Sequence, residues 1–297
     1  VGAQQLDGAN GIYAAVQSVE SQLGEDDRLA AAADLETAAQ ETILRYGEGD
    51  QFPDDPLRPG KQDFDRAAEL FRLALQLRSS APSTDSEFDA ATNRSLTSRM
   101  QFCKARALIF DSRYNDAINE LAKVPANDWL AESHNAQGIA ALEQGRYSEA
   151  VKSFEASLRL APDWAYSRHN LALTYIEAGG TAEAERAYKE AIKRTPFHPY
   201  LFYNLGVLLQ RLNRKKEADQ YYRLAIEKFQ EQRDKFRDRG QDWANAQVLD
   251  QAERALTREK VLVRNEAEAH NALGSLRQAL GKLRDAENEY QESFRLN

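Results

Sequence analysis

The sequence predicts an all-α protein made of stacked antiparallel helix hairpins, on three observations. Alanine recurs at Ala117, Ala150, Ala184, Ala218, Ala252 and Ala286, with gaps of 33, 34, 34, 34 and 34 residues. A large apolar residue stands four places after each: Leu121, Phe154, Tyr188, Tyr222, Leu256 and Tyr290. Twelve places before four of the alanines stands a glycine (Gly138, Gly206, Gly240, Gly274), and Ala105 and Ala172 fill the same slot elsewhere. A fixed period of this length marks supersecondary units, each of which buries its apolar face only by stacking on the next.

The elements follow in order. Residues 1–97 hold N-terminal helices and a degenerate hairpin. There the alanine-rich run 28–46 is the expected partner of the stripe Phe64, Ala67, Phe71, Ala74 and Leu75, and the loop 47–61 (GEGDQFPDDPLRPGK) separates them. A loop this long inside a solenoid is either functional or a surface insertion of little thermodynamic cost.

Residues 98–232 carry the regular array, of which 131–164 is the clearest unit. Two helices are predicted over 131–144 and 147–160. Gly145 suits the helix C-terminal position that needs positive φ, and Pro162 closes the unit because proline cannot continue a helix. In the second helix Ala150, Val151, Phe154 and Leu158 form one apolar stripe. Gly138 is expected to face Ala150 and let the backbones approach, with Phe154 filling the space between one pair and the next.

Residues 233–266 keep the register but lack the closing proline. No Pro or Gly occurs between Lys215 and Arg239, or between Gln241 and Leu273, so longer helices with a joint near Gly240 are expected. Residues 267–297 are a last unit that stops one place before its proline would fall, which reads as an excised segment or processed form whose flanking domains hold any chemistry.

These residues resemble the tetratricopeptide repeat (TPR) family. The pattern reads Gly138, Ala150, Phe154, Pro162; then Leu171-Ala172, Tyr175, Ala184, Tyr188, Pro196; then Leu205-Gly206, Ala218, Tyr222; and again Leu273-Gly274, Ala286, Tyr290. The resemblance covers at least residues 98–297. It implies a right-handed α-α superhelix with a concave groove lined by the first helix of each pair.

Composition narrows the function. With 42% hydrophobic residues, the 297-residue chain can bury a large area, distributed as a line of small cores. The net charge of −8 opposes nucleic-acid binding. The basic stretch 211–239 interleaves acids at helical spacing and reads as a solvated face. The single cysteine, Cys103, excludes an intrachain disulfide and reads as a packed thiol. No stretch approaches the ~20 apolar residues of a membrane span, and no signal-peptide pattern is present; the compartment stays open.

No catalytic motif is present: there is no His-Glu-x-x-His, Gly-x-Ser-x-Gly, phosphate loop or Cys-x-x-Cys. His134, His169 and His270 each precede an Asn in near-equivalent repeat slots, so the repeat template explains them without a metal, and His198 falls in an inter-repeat turn. No enzyme activity, metal or cofactor is expected in this chain.

The resemblance implies that groove-facing residues occupy set places on each first helix. Asn135, Asn170, Asn204 and Asn271 fall at the fifth or sixth place, where amides can donate to and accept from an extended peptide backbone; asparagine is also common there in the family without a peptide. Tyr166, Tyr200 and Tyr203 project with His169 to the same surface, near Leu173, Val207, Gln210 and Arg211. Tyrosines of this kind serve as amphipathic anchors or pack against neighbouring repeats. The basic clamp with which some relatives hold a chaperone tail is not met: its second place holds Glu132, Tyr166, Tyr200 and Glu268, leaving only Arg99 and Arg106 on the earlier repeat.

The reading is a protein-interaction scaffold that binds a peptide segment or neighbouring domain around residues 166–211, without nucleic acid or membrane. Two alternatives stay open. The chain is a regulatory or substrate-presenting arm of a larger enzyme, such as a peptidase or transferase; or it self-associates through Leu283, Tyr290 and Phe294 on the last helix.

Overall fold

The computed structural model describes residues 24–48, 58–80, 86–246 and 248–297; residues 1–23 and most of the 47–61 loop lie outside them. The described residues divide into two compact units, one of residues 24–48 and 59–162, the other of Arg58 and residues 163–297.

The first unit contains α1 (Glu25–Glu48), α2 (Lys61–Ser79), α3 (Ser86–Phe110), α4 (Tyr114–Leu121), α5 (Ala131–Glu143) and α6 (Tyr147–Leu160). Each helix packs on the next, and α1 covers the alanine-rich run and pairs with α2. Phe64, Ala67, Phe71 and Ala74 are buried along α2, and Leu75 is half-buried. Arg106 is buried too, its guanidinium 4.9 Å from the Tyr46 ring centre and 5.6 Å from that of Phe64. It is part of an aromatic core and offers no open clamp.

The second unit contains α7 (Ala165–Glu177), α8 (Thr181–Arg194), α9 (Pro199–Arg211), α10 (Lys215–Asn245), α11 (Leu249–Ala279) and α12 (Leu283–Leu296). One continuous apolar core runs from Ala165 to Leu276. Every template alanine, from Ala117 to Ala286, is buried. Gly145 and Gly179 end their helices with φ of +69° and +80°, the conformation that glycine adopts without a Cβ penalty.

Two packing expectations are corrected. Phe154 fills no space between one pair and the next but seats over Gly138 of its own hairpin: a Cβ on Gly138 would lie 2.6 Å from Phe154, and one on Gly206 2.9 Å from Tyr222. The large residue therefore seats over the small slot sixteen places earlier, within one hairpin. Nor is Gly240 a joint. It lies inside α10 as the same kind of slot, with Leu256 as its neighbour; α10 ends at Asn245 and α11 begins at Leu249, and Val248 N–H donates to Trp243 O at 2.9 Å. α10 and α11 are 31 residues each.

Candidate functional site

On α7 the residues Tyr166, His169, Asn170 and Leu173 follow helical i, i+3, i+4, i+7 spacing and so share a face. On α9 the equivalent set is Tyr200, Tyr203, Asn204, Val207, Gln210 and Arg211. Pro199 starts α9 at a position where its missing N–H costs nothing and its fixed φ suits the helix.

The two helices give a buried layer and an accessible one. His169, Asn170 and Tyr200 are buried. The His169 ring meets Tyr200 edge-on at 5.4 Å, and its Nδ1 shares a hydrogen bond of 3.3 Å with the Tyr188 hydroxyl. Burial, aided by the charge of Arg58, pushes the His169 pKa down to about 4, so the imidazole is neutral at physiological pH. Burial alone does the same to His198, the residue before α9. Tyr166, Leu173, Tyr203, Asn204, Val207 and Gln210 remain half-buried, and Arg211 is exposed. Gln210 accepts a hydrogen bond of 2.7 Å from Tyr222, which orients its amide. Over this surface lies Arg58, its guanidinium carbon 4.2 Å from the centre of the Tyr166 ring.

Two expected site residues stand apart. Asn135, in the first unit, is wholly buried and donates to the Tyr46 hydroxyl at 2.8 Å, so its amide is committed to α1. Asn271 is exposed on α11, and its neighbour His270 accepts or donates a 2.6 Å bond with Glu289.

Sequence reasoning missed two features. Arg58 carries no signal beyond its place at the end of a Pro/Gly-rich loop. The second is an ionic network across α10, α11 and α12. Arg233 pairs with Glu266 at 2.6 Å, Gln230 donates to the same carboxylate at 2.9 Å, and Arg277 joins Asp219 at 3.3 Å and also reaches Glu289. The basic stretch does contain helical pairs such as Lys228–Glu231, but Arg233 reaches across to another helix, and Asp219 is buried. The two enclosed carboxylates, Asp219 and Glu266, are each met by a half-buried arginine from another helix.

Cys103 is buried, and burial raises its thiol pKa, which keeps it protonated. Among the described residues no group of three or more His, Cys, Asp or Glu is arranged to hold a metal ion, and no helix is long and apolar enough to cross a membrane.

A stack of helix hairpins with small-residue slots under aromatic rings defines a helical-repeat protein. Two family models described as tetratricopeptide repeat match residues 129–196 and 169–233, and this part of the chain belongs to that family. No curated protein matches the chain. Among solved structures, MamA of AMB-1 is 20% identical over 69% of this chain and 92% of its own, with a TM-score of 0.46. YrrB, described as a TPR protein with an unusual peptide-binding site, is 14% identical over 74% and 93%, with a TM-score of 0.42. The Rap conjugation gene regulator of plasmid pLS20, solved with the Phr* peptide, is 18% identical over 94% and 76%, with a TM-score of 0.45. All three are distant likenesses.

Proposed function

We propose that this chain is a protein-interaction scaffold whose second unit holds a peptide segment of another protein along α7 and α9. The observation that carries this reading is the accessible layer of Tyr166, Leu173, Tyr203, Asn204 and Val207 above a rigid, uncharged floor of His169, Asn170 and Tyr200. Half-buried tyrosines supply contact area at low entropic cost, while the Asn204 amide can both donate to and accept from a backbone. A neutral floor removes any need for a counter-charge in the ligand at that point.

The test is a pulldown from host lysate with the parent chain and with Tyr203→Ala/Asn204→Ala. A protein captured by the parent and lost by a double variant of unchanged helicity supports the reading. Equal capture by both sinks it. Unfolding of the double variant would mean that these two residues are core.

A second reading has its own observation. On α12, Leu283 and Phe294 are 67% and 87% exposed, beside a concavity of about 500 Å³ that Ala286 and Tyr290 also line. This face suits a second copy of the chain. Light scattering over a concentration series tests it, with Phe294→Ser expected to keep the chain monomeric.

A further inference from the structure

The preceding reading leaves open what the groove recognises, and one contact on that surface bears on it. Arg58 belongs with the second unit, whereas its neighbour Pro59 belongs with the first. Its guanidinium lies 4.2 Å from the centre of the Tyr166 ring, within the range of a cation–π contact. Tyr166 is a half-buried residue at the second place of α7, at the start of the proposed peptide surface. A side chain from a Pro/Gly-rich loop therefore rests on a residue that a partner would use.

We propose that the Tyr166 ring is an arginine subsite of the groove, that Arg58 is its tethered occupant, and that the partner segment presents an arginine which displaces it. The proposal rests on the reading of α7 and α9 as a peptide surface.

The surroundings suit a planar cation. Arginine stacks on aromatic faces and is weakly hydrated, so it loses little on leaving water. The floor beside the ring is the neutral imidazole of His169, and no second cation is added there when arginine binds; the Arg58 charge itself helps to keep His169 neutral. Because Arg58 is part of the chain, it acts at the effective concentration of a tethered ligand, in the millimolar range for short flexible links. A free arginine peptide of modest affinity then competes poorly with it.

The test uses the full chain and a synthetic peptide of residues 56–60 (Pro-Leu-Arg-Pro-Gly) with blocked ends. Binding is followed by NMR at the Trp164 indole N–H, whose ring centre is 6.3 Å from that of Tyr166. Arg58→Ala is expected to bind the peptide saturably and about tenfold more tightly than the parent chain. Replacing the peptide's arginine by alanine, or adding Tyr166→Leu to the Arg58→Ala chain, should remove the shift. Absence of binding to the folded Arg58→Ala chain overturns the proposal, as does equal binding by parent and variant or binding that persists with Tyr166→Leu. Should Arg58→Ala disturb the fold, Arg58→Gln keeps the stem and removes the charge, with the same expectation. If the peptide fails while a lysate protein is still lost on Tyr203→Ala/Asn204→Ala, the arginine subsite falls and the groove stands. If the peptide binds as expected but the lysate test fails, the subsite stands without the groove.

Discussion

The hairpin of α9 and the first half of α10 and the hairpin of the second half of α10 with α11 follow one register but are fastened differently. In the first, Tyr222 lies buried over Gly206, and its hydroxyl is tied to Gln210. In the second, Leu256 takes the aromatic's place over Gly240 and stays 38% exposed, with Trp243 and Leu249 also exposed nearby. Leucine is too short to cover the slot and reach a polar partner beyond it. The fastening there is ionic: Glu266, 1% exposed, is held by Arg233 and Gln230. Register can thus persist after apolar packing has thinned, provided that another interaction fixes the helix pair. A buried ion pair is a costly fastener, because desolvation offsets most of the attraction; its strength appears mainly when one partner is removed.

Substitutions at equivalent places break this comparison most directly. Tyr222→Ala should cost about 3–5 kcal/mol through the cavity left over Gly206, whereas Leu256→Ala should cost roughly 1 kcal/mol, since its side chain buries less area. Urea unfolding of both variants measures the difference, and equal losses would contradict it.

Glu266→Gln should bring the loss in the second hairpin close to that in the first. Leaving Arg233 opposite a neutral amide is expected to cost about 3 kcal/mol, at the low end for breaking a buried pair because Arg233 keeps partial contact with solvent. A loss under ~1 kcal/mol would show that Arg233 re-solvates freely, a surface-pair outcome.

Overpacking sharpens the same contrast. Ala184→Leu, in a fully buried slot, should cost about 1–3 kcal/mol. Ala252→Leu, beside the exposed Leu256, should cost roughly 1 kcal/mol or less by the same reasoning. Thermal melts of the pair decide it.

A further contrast is in pH dependence, and it falls on the regular region, where both histidines lie. His169 and His198 both have folded pKa values of about 4, below the ordinary 6.5. The unfolded chain therefore binds more protons between those values, and stability falls as pH drops from about 6.5 towards 4. Each histidine contributes a slope of up to about 1.4 kcal/mol per pH unit across that window. His198→Phe should reduce the slope by up to about 1.4 kcal/mol per pH unit, read as the urea midpoint between pH 7 and 4.5. An unchanged slope would mean that His198 is not held neutral.

Much of the fold was legible in the sequence, because the slots are local. Ala150 and Phe154 sit one turn apart on one helix, and Gly138 is reached across a short turn, so spacing alone reveals the hairpin. The site was legible in part. Helical spacing puts Tyr166, His169 and Leu173 on one face, but it cannot tell a core asparagine from a groove asparagine. Asn170 and Asn204 occupy equivalent places, yet Asn170 is buried and Asn204 is half-exposed.

The sequence by itself determined the period, the helices and the small slots under large residues, all consequences of helical geometry between near neighbours. Only the tertiary structure decided which polar groups are enclosed. Whether Glu266 meets Arg233, Asn135 meets Tyr46 or Arg58 meets Tyr166 depends on which distant segment lies opposite. Desolvation then makes each of those meetings consequential, because a buried polar or charged group must find its partner within the fold.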